Sequence, residues 1–296
     1  MLLKKDCFLK IKDAEIIVAT NHGIGVSLAL LLFFRRIKNK KLFVINSGLF
    51  DDNLISFLKS KSRKILTQLT LNNSNKIICT SKKEYKFAIN KFNKEKNKIV
   101  LNPFCVDTAF WVDKSINFLE KEQILFVGNN EYRDIEKLIK IVEGLPKINF
   151  KLVTSLIDEN INIPKNVKLI KGDWNKSIIN DDDLKSLYKK SRLTILPVVN
   201  TLTSSGQSVA QQSMSMGTPV VINLTKGFWD EEIIDGEDIT LVKRNELDVW
   251  INTVEKLYND KDRLEKISLN GVQKIHKNFN LDIFNKKMFD IVFKNY

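Results

Sequence analysis

Cysteine and histidine are both scarce in this chain of 296 residues, and neither is placed for the chemistry it usually serves. The three cysteines, Cys7, Cys79 and Cys105, are far apart, odd in number and without a Cys-x-x-Cys spacing, so no disulfide framework and no thiolate metal site is expected. A reducing cytoplasm fits that pattern. The two histidines, His22 and His276, stand at opposite ends of the sequence, which leaves no basis for a histidine zinc site or for metal-assisted hydrolysis. Long apolar runs are missing too. Ile24 to Phe34 is nearly all apolar but too short to span a bilayer, and is expected to be a buried domain helix. The opening MLLKKDCFLKIKDAEII has no continuous apolar core followed by a small-residue cleavage site, so no secretory signal is expected. Repeats and low-complexity linkers are absent as well.

Hydrophobic residues make up 43% of the sequence and both charge signs are well represented, as in a folded globular protein whose length favours two domains. The net charge of +13 is uneven: residues 1–120 hold 22 Lys and Arg against 10 Asp and Glu, and the remainder 26 against 25. A basic N-terminal half attracts a polyanion, although a Lys-rich compositional bias gives the same count. Nucleic acid is not the expected partner, because no recognised binding module or aromatic-interleaved basic strip is present. Arg35, Arg36, Lys38, Lys40 and Lys41 follow the apolar segment directly, which leaves peripheral contact with an anionic membrane leaflet open.

Short β-branched runs alternate with helical patterns, the signature of an α/β fold with parallel sheets flanked by helices. Glu15–Thr20, Leu42–Asn46, Lys76–Thr80 and Lys98–Leu101 are predicted strands of one small sheet. A second series follows: Gln123–Val127, Phe150–Thr154, Val167–Ile170, Leu193–Leu196, Pro219–Ile222 and Ile239–Val242. Two Rossmann-like domains are expected, 1–118 and 119–280, with a C-terminal helix over 281–296 that packs back on the first domain.

Ser204 to Ile222, SSGQSVAQQSMSMGTPVVI, follows a strand and leads through Gly206 into a helix. In an open parallel sheet that helix start faces the ligand crevice, and its N–H groups suit a phosphate. An ordinary strand–loop–helix connection with Ser205 as N-cap is the plainer alternative. In Ile124 to Ile139, ILFVGNNEYRDIEKLI, a strand runs into Gly128 and polar residues before a helix begins near Asp134. Arg133 is the one basic candidate in that loop, either as a diphosphate clamp or as a surface residue among Glu136 and Lys137. Asp181, Asp182 and Asp183 precede Leu184, Leu187 and Tyr188 at helical spacing, and are expected to cap and start a helix rather than hold a metal. His22, within Asn21-His22-Gly23, follows a strand and lies within reach of an interdomain cleft, though a loop histidine without a role is the plainer expectation.

Met214 to Ile222, with the preceding Ser205-Gly206-Gln207 and the later Gly227-Phe228-Trp229-Asp230, resembles family 4 of the nucleotide-sugar glycosyltransferases. The family has the GT-B architecture of two Rossmann-like domains. Its pattern here is E, seven residues, E, then A-M-A-x-G-x-P-V-V. Ser204 and Gln212 stand where the two glutamates would be, so this chain is closer to a branch with an S-G-Q loop and a glutamine before the A-M-A segment.

The resemblance implies donor binding by Gly128, Asn129, Asn130, Arg133, Thr154, Gly172, Asp173, Trp174, Ser204, Ser205, Gly206, Gln207, Ser208 and Gln212. Arg133 and the Gly206 helix start would stabilise the departing diphosphate, Ser204 and Gln207 contact the sugar, and Gln212 hold the ribose. Gly172-Asp173-Trp174 would meet the nucleobase, although a plain core position suits Trp174 equally. Arg133 and Gln207 are thus the expected catalytic residues, with no metal and no organic cofactor. The implied activity is transfer of a hexosyl unit, with retention, from a nucleotide diphosphate sugar to a cell-envelope glycan or lipid-linked acceptor. The missing glutamates and the short N-terminal domain leave a non-catalytic nucleotide-sugar-binding subunit, or an inactive truncated glycosyltransferase, as the alternative. Ser47, in Asn46-Ser47-Gly48-Leu49, stands where many relatives carry a histidine. The first strands of the family's acceptor domain have no counterpart before Glu15, so a shortened, incomplete N-terminal domain is expected.

Overall fold

A computed structural model of the chain describes residues 5–51, 57–113, 121–158, 162–171 and 179–294. Two parallel sheets organise it. The N-terminal sheet contains β1 (Ile16–Ala19), β2 (Lys41–Asn46), β3 (Lys76–Cys79) and β4 (Ile99–Leu101), in the order β1-β2-β3-β4. The second contains β5 (Gln123–Val127), β6 (Asn149–Val153), β7 (Val167–Ile170), β8 (Ser191–Leu196), β9 (Val220–Asn223) and β10 (Thr240–Val242), in the order β10-β9-β8-β5-β6-β7. Each predicted strand is present, with ends moved by at most two residues. Helices connect them: α1 (Lys5–Asp13), α2 (His22–Phe33), α3 (Phe57–Asn73), α4 (Lys82–Lys91), α5 (Ile135–Glu143), α6 (Asp181–Lys190), α7 (Gln207–Ser215), α8 (Leu247–Asn259), α9 (Lys261–Asn278) and α10 (Leu281–Phe289).

The central strands of the second sheet bury both faces, which is why they read as continuous apolar runs. Alternation along β5 sends Leu125 and Val127 to one face, with Tyr188 and Met214, and Ile124 and Phe126 to the other, with Leu138, Trp250 and Val254. Helix α5 supplies that second face at i, i+3, i+4 spacing through Leu138, Ile141 and Val142, and Asp134 caps its start by accepting from the Lys137 N–H.

In the N-terminal sheet, Leu42, Val44, Ile77 and Cys79 pack under α2 and its neighbours. Phe43 and Ile78 face the other way, and there the last turns of the chain return: Ile291 and Val292 share a buried cluster with them.

Candidate functional site

The order of the second sheet fixes where a ligand can sit. After β5 the chain adds β6 and β7 on one side, then returns to place β8 on the other. At such a switch the loops leaving neighbouring strands part, and a crevice opens at the carboxyl ends. The loop after β5 and, through the first turns of α7, the loop after β8 shape its walls. They are stitched together by the Asp134 N–H donating to the Pro197 carbonyl at 3.0 Å and the Val199 N–H to the Tyr132 carbonyl at 2.9 Å. The resulting cleft, about 500 Å³, is lined by Gly128, Asn129, Asn130, Arg133, Ser208 and Gln212, with Asp181 and Leu184 from α6.

Arg133 dominates the electrostatics. Its side chain is 7% exposed and bonded to neutral groups: Nη1 donates to Ser205 Oγ at 2.7 Å and to Asn130 Oδ1 at 3.5 Å, and Nε to the Val127 carbonyl at 3.3 Å. Among the described residues it has no carboxylate partner. Burial therefore pulls its pKa down to about 10. A buried cation without a counter-charge is costly, a setting that suits an anion in the cleft. The surface alternative does not hold, because Glu136 pairs with Lys140 at 2.6 Å and Lys137 with Asp134 at 3.6 Å.

Gly128 makes room for this arrangement. A Cβ there would stand 2.1 Å from Arg133 Nε and 2.8 Å from its Cγ and Cδ, so a side chain at 128 would expel the guanidinium.

Opposite Arg133 stands the start of α7. Gly206, not Ser205, is the N-cap; it is left-handed at φ 81°, and no side chain caps the first turn. The Ser205 hydroxyl accepts from Arg133 instead. The crevice thus presents a guanidinium and the positive end of a helix dipole to the same volume, a combination suited to a diphosphate.

Residues 107–274, more than half of the chain, match the family model described as glycosyl transferases group 1. The chain belongs to that family. No curated protein sequence matches it significantly. Solved structures resemble it in fold. Sucrose-phosphate synthase from Thermosynechococcus elongatus superposes with TM-score 0.75 at 17% identity, covering 97% of this chain and 75% of its own. A glycosyltransferase from Rickettsia africae gives 0.71 at 14%, covering 98% and 79%. The Anabaena protein HepE, solved in complex with UDP-glucose, gives 0.72 at 14%, covering 96% and 80%. The two-sheet arrangement is the GT-B glycosyltransferase fold.

Within this group 1 chain the expected donor residues fall into distinct settings. Gly128, Asn129, Asn130, Arg133, Ser208 and Gln212 meet in the cleft. Asn129 Oδ1 accepts from the Ser155 N–H at 2.7 Å and Asn130 Oδ1 from the Tyr132 N–H at 3.3 Å, so both asparagines also brace their loops. Gln212 Oε1 accepts from the Tyr188 hydroxyl at 3.3 Å, a buried phenol whose pKa burial drives up. Thr154 is buried, its hydroxyl accepting from the Leu156 N–H. Ser204 is half-buried at the mouth of α7. Gln207 reaches the other domain, donating through Nε2 to the Thr80 carbonyl at 3.3 Å. Gly172, Asp173 and Trp174 lie outside the described residues.

In the N-terminal half of the site the sequence pointed to His22 and to the Ser47-Gly48 turn, but not to Asp51, Arg63 or Glu84. Asp51 Oδ2 accepts from both the N–H and the hydroxyl of Thr203, at 3.1 and 2.9 Å, across the seam between the domains. Glu84 is fully buried, accepts from the Gly48 N–H at 3.2 Å, and has its pKa raised to about 7, chiefly by burial. Arg63 donates to the Gly48 carbonyl. His22 stands beside this loop: a Cβ on Gly48 would lie 3.7 Å from His22 Cε1 and 2.9 Å from Thr203 Oγ1. Burial first, then Arg63, lowers the His22 pKa, which favours the neutral imidazole at pH 7. Ser81 caps α4 by accepting from the Glu84 N–H, which aims Glu84 inward.

Proposed function

We propose that this group 1 glycosyltransferase moves a hexosyl unit from a nucleotide diphosphate sugar to a cell-envelope glycan or lipid-linked acceptor, with retention at the anomeric carbon. One observation carries the donor assignment: the buried Arg133 guanidinium, without a carboxylate partner among the described residues, shares its cleft with the uncapped start of α7. In the reaction the bond between the anomeric carbon and the diphosphate breaks with its electron pair leaving on the diphosphate, while an acceptor hydroxyl oxygen bonds to that carbon and gives its proton to the departing diphosphate. Arg133 and the α7 amides meet that developing charge. Asn129 and Gln212, at the cleft wall, offer hydrogen bonds to the donor's hydroxyl groups.

Gln207 joins α7 to the Thr80 end of β3, and Thr203 joins the same loop to Asp51. Domain approach and donor-loop geometry are thereby coupled, which places the acceptor side against the donor and limits water. Titration calorimetry with UDP-, GDP- and ADP-sugars tests the assignment. Heat from at least one, abolished in competition by the matching nucleoside diphosphate, is the expected result; silence across the panel contradicts it.

A second possibility draws on Ser204 and Gln212, uncharged where the resembling family carries glutamates. A chain that binds donor without turning it over, alone or with acceptor extracts, would be a nucleotide-sugar-binding subunit.

A further inference from the structure

The end of the N-terminal domain remote from the cleft combines exposed aromatic rings with unpaired cations. Phe33, the last residue of α2, and Phe34 after it are 55% and 67% exposed, with ring centroids 5.2 Å apart, edge to face. Ile37, buried at 2%, pins the following turn. Around that anchor Arg35, Arg36 and Lys38 are exposed, and among the described residues none has a carboxylate partner. No Asp or Glu occurs in residues 16–50. A hollow of about 620 Å³ adjoins them, lined by Arg35, Lys38, Lys40 and Lys98 without a carboxylate.

Part of this charge has a structural use. Lys98 donates to the Leu71 and Asn72 carbonyls near the end of α3, and Lys40 to the Lys12 carbonyl near the end of α1, where cations complement helix dipoles. One further cation would serve the end of α2. Three are present there, and dipole complementation says nothing about two bare phenylalanines.

We propose that this end of the domain docks on a membrane rich in anionic phospholipid, with Phe33 and Phe34 entering the headgroup–acyl boundary and Arg35, Arg36 and Lys38 meeting lipid phosphates. Charge complementarity selects the occupant. An apolar wedge beside clustered cations supplies both terms that peripheral binding needs. The rings pack on each other rather than spreading as a platform for stacked bases, which disfavours single-stranded nucleic acid. The orientation is compatible with a working cleft. Strand β2 starts at Lys41, next to this surface, and ends at Asn46, close to Gly48 and Asp51 at the interdomain seam; its six residues separate the two ends by roughly 17 Å.

Vesicle sedimentation tests this independently of turnover, using phosphatidylcholine alone and phosphatidylcholine with about one-third phosphatidylglycerol. The full chain should partition onto the anionic vesicles and be released by salt. Replacing Arg35, Arg36 and Lys38 together by Gln should weaken partitioning by about fivefold per charge. Phe33→Ser with Phe34→Ser should weaken it about tenfold or more at unchanged charge. Because all five side chains are exposed, thermal midpoints should stay at the wild-type value. Equal partitioning onto neutral and anionic vesicles, or either variant set binding within twofold of wild type, overturns the proposal. Retention of the chain by RNA through the same residues, with no vesicle binding, overturns it also.

Discussion

Replacing Arg133 by Met should move stability and ligand affinity in opposite directions. In the empty protein the guanidinium is buried, and its pKa near 10 against the ordinary 12.5 corresponds to about 3 kcal/mol of disfavour for the charged form. Methionine keeps much of the volume and removes the buried charge, so the unliganded variant should be as stable as wild type or more stable, by about 1–3 kcal/mol. Three hydrogen bonds go with the guanidinium: the exposed Asn130 turns to water, while the buried Ser205 hydroxyl and Val127 carbonyl each lose a donor, which holds the gain toward the lower end of that range. With nucleoside diphosphate bound the balance reverses. Loss of one buried, charge-assisted contact should cost about 1.5–3 kcal/mol, a factor of roughly 10 to 150 in affinity. Urea unfolding without ligand and calorimetry with ligand give the two numbers on one preparation. If the variant loses about 3 kcal/mol of stability while its nucleotide affinity stays within twofold of wild type, Arg133 is a structural keystone and the reasoning fails.

Three further expectations follow from the same structure. Gly128→Ala should displace Arg133 and weaken nucleotide binding about as much as Arg133→Met, yet add almost nothing in the Arg133→Met background; additive losses in the double-mutant cycle would mean that the two positions act separately. Glu84 has its pKa raised from 4.5 to about 7, so the unfolded chain ionises first: below pH 4.5 the group is protonated in both states, and stability falls as pH rises toward 7. Relative to Glu84→Gln, wild type should lose about 3 kcal/mol across that window, and parallel pH profiles for the two proteins would contradict it. Ile291→Ala should destabilise the N-terminal sheet by about 2 kcal/mol, seen as faster amide exchange at Phe43 and Ile78 than in β5; uniform exchange changes would show that the chain's last turns do not brace that sheet.

Much of this was legible in the sequence, for identifiable reasons. Strands buried on both faces must be apolar and β-branched, so β5, β8 and β9 announced themselves. The Ser204–Ile222 segment placed a helix start at the crevice because strand, glycine and helix follow one another without insertion. The burial of Arg133 was not legible. It sits in EYRDIE, flanked by charged residues, and becomes internal only because Gly128 lets its side chain lie across the end of β5. Caps shifted for a similar reason. Asn180 rather than an aspartate caps α6, with Asp183 completing the capping box, and Gly206 rather than Ser205 caps α7 because the Ser205 hydroxyl is held by Arg133. The partners of Gln207 and Thr203 lie more than 120 residues away, beyond what any local pattern reports.

A crystal structure of the chain with a nucleoside diphosphate that binds it tests the donor assignment most directly. The diphosphate is expected against the first turn of α7, within hydrogen-bond reach of the Arg133 guanidinium, with the ribose on the Gln212 side of the cleft. A diphosphate bound elsewhere, or bound in the cleft with Arg133 still held only by Ser205, Asn130 and Val127, would contradict it.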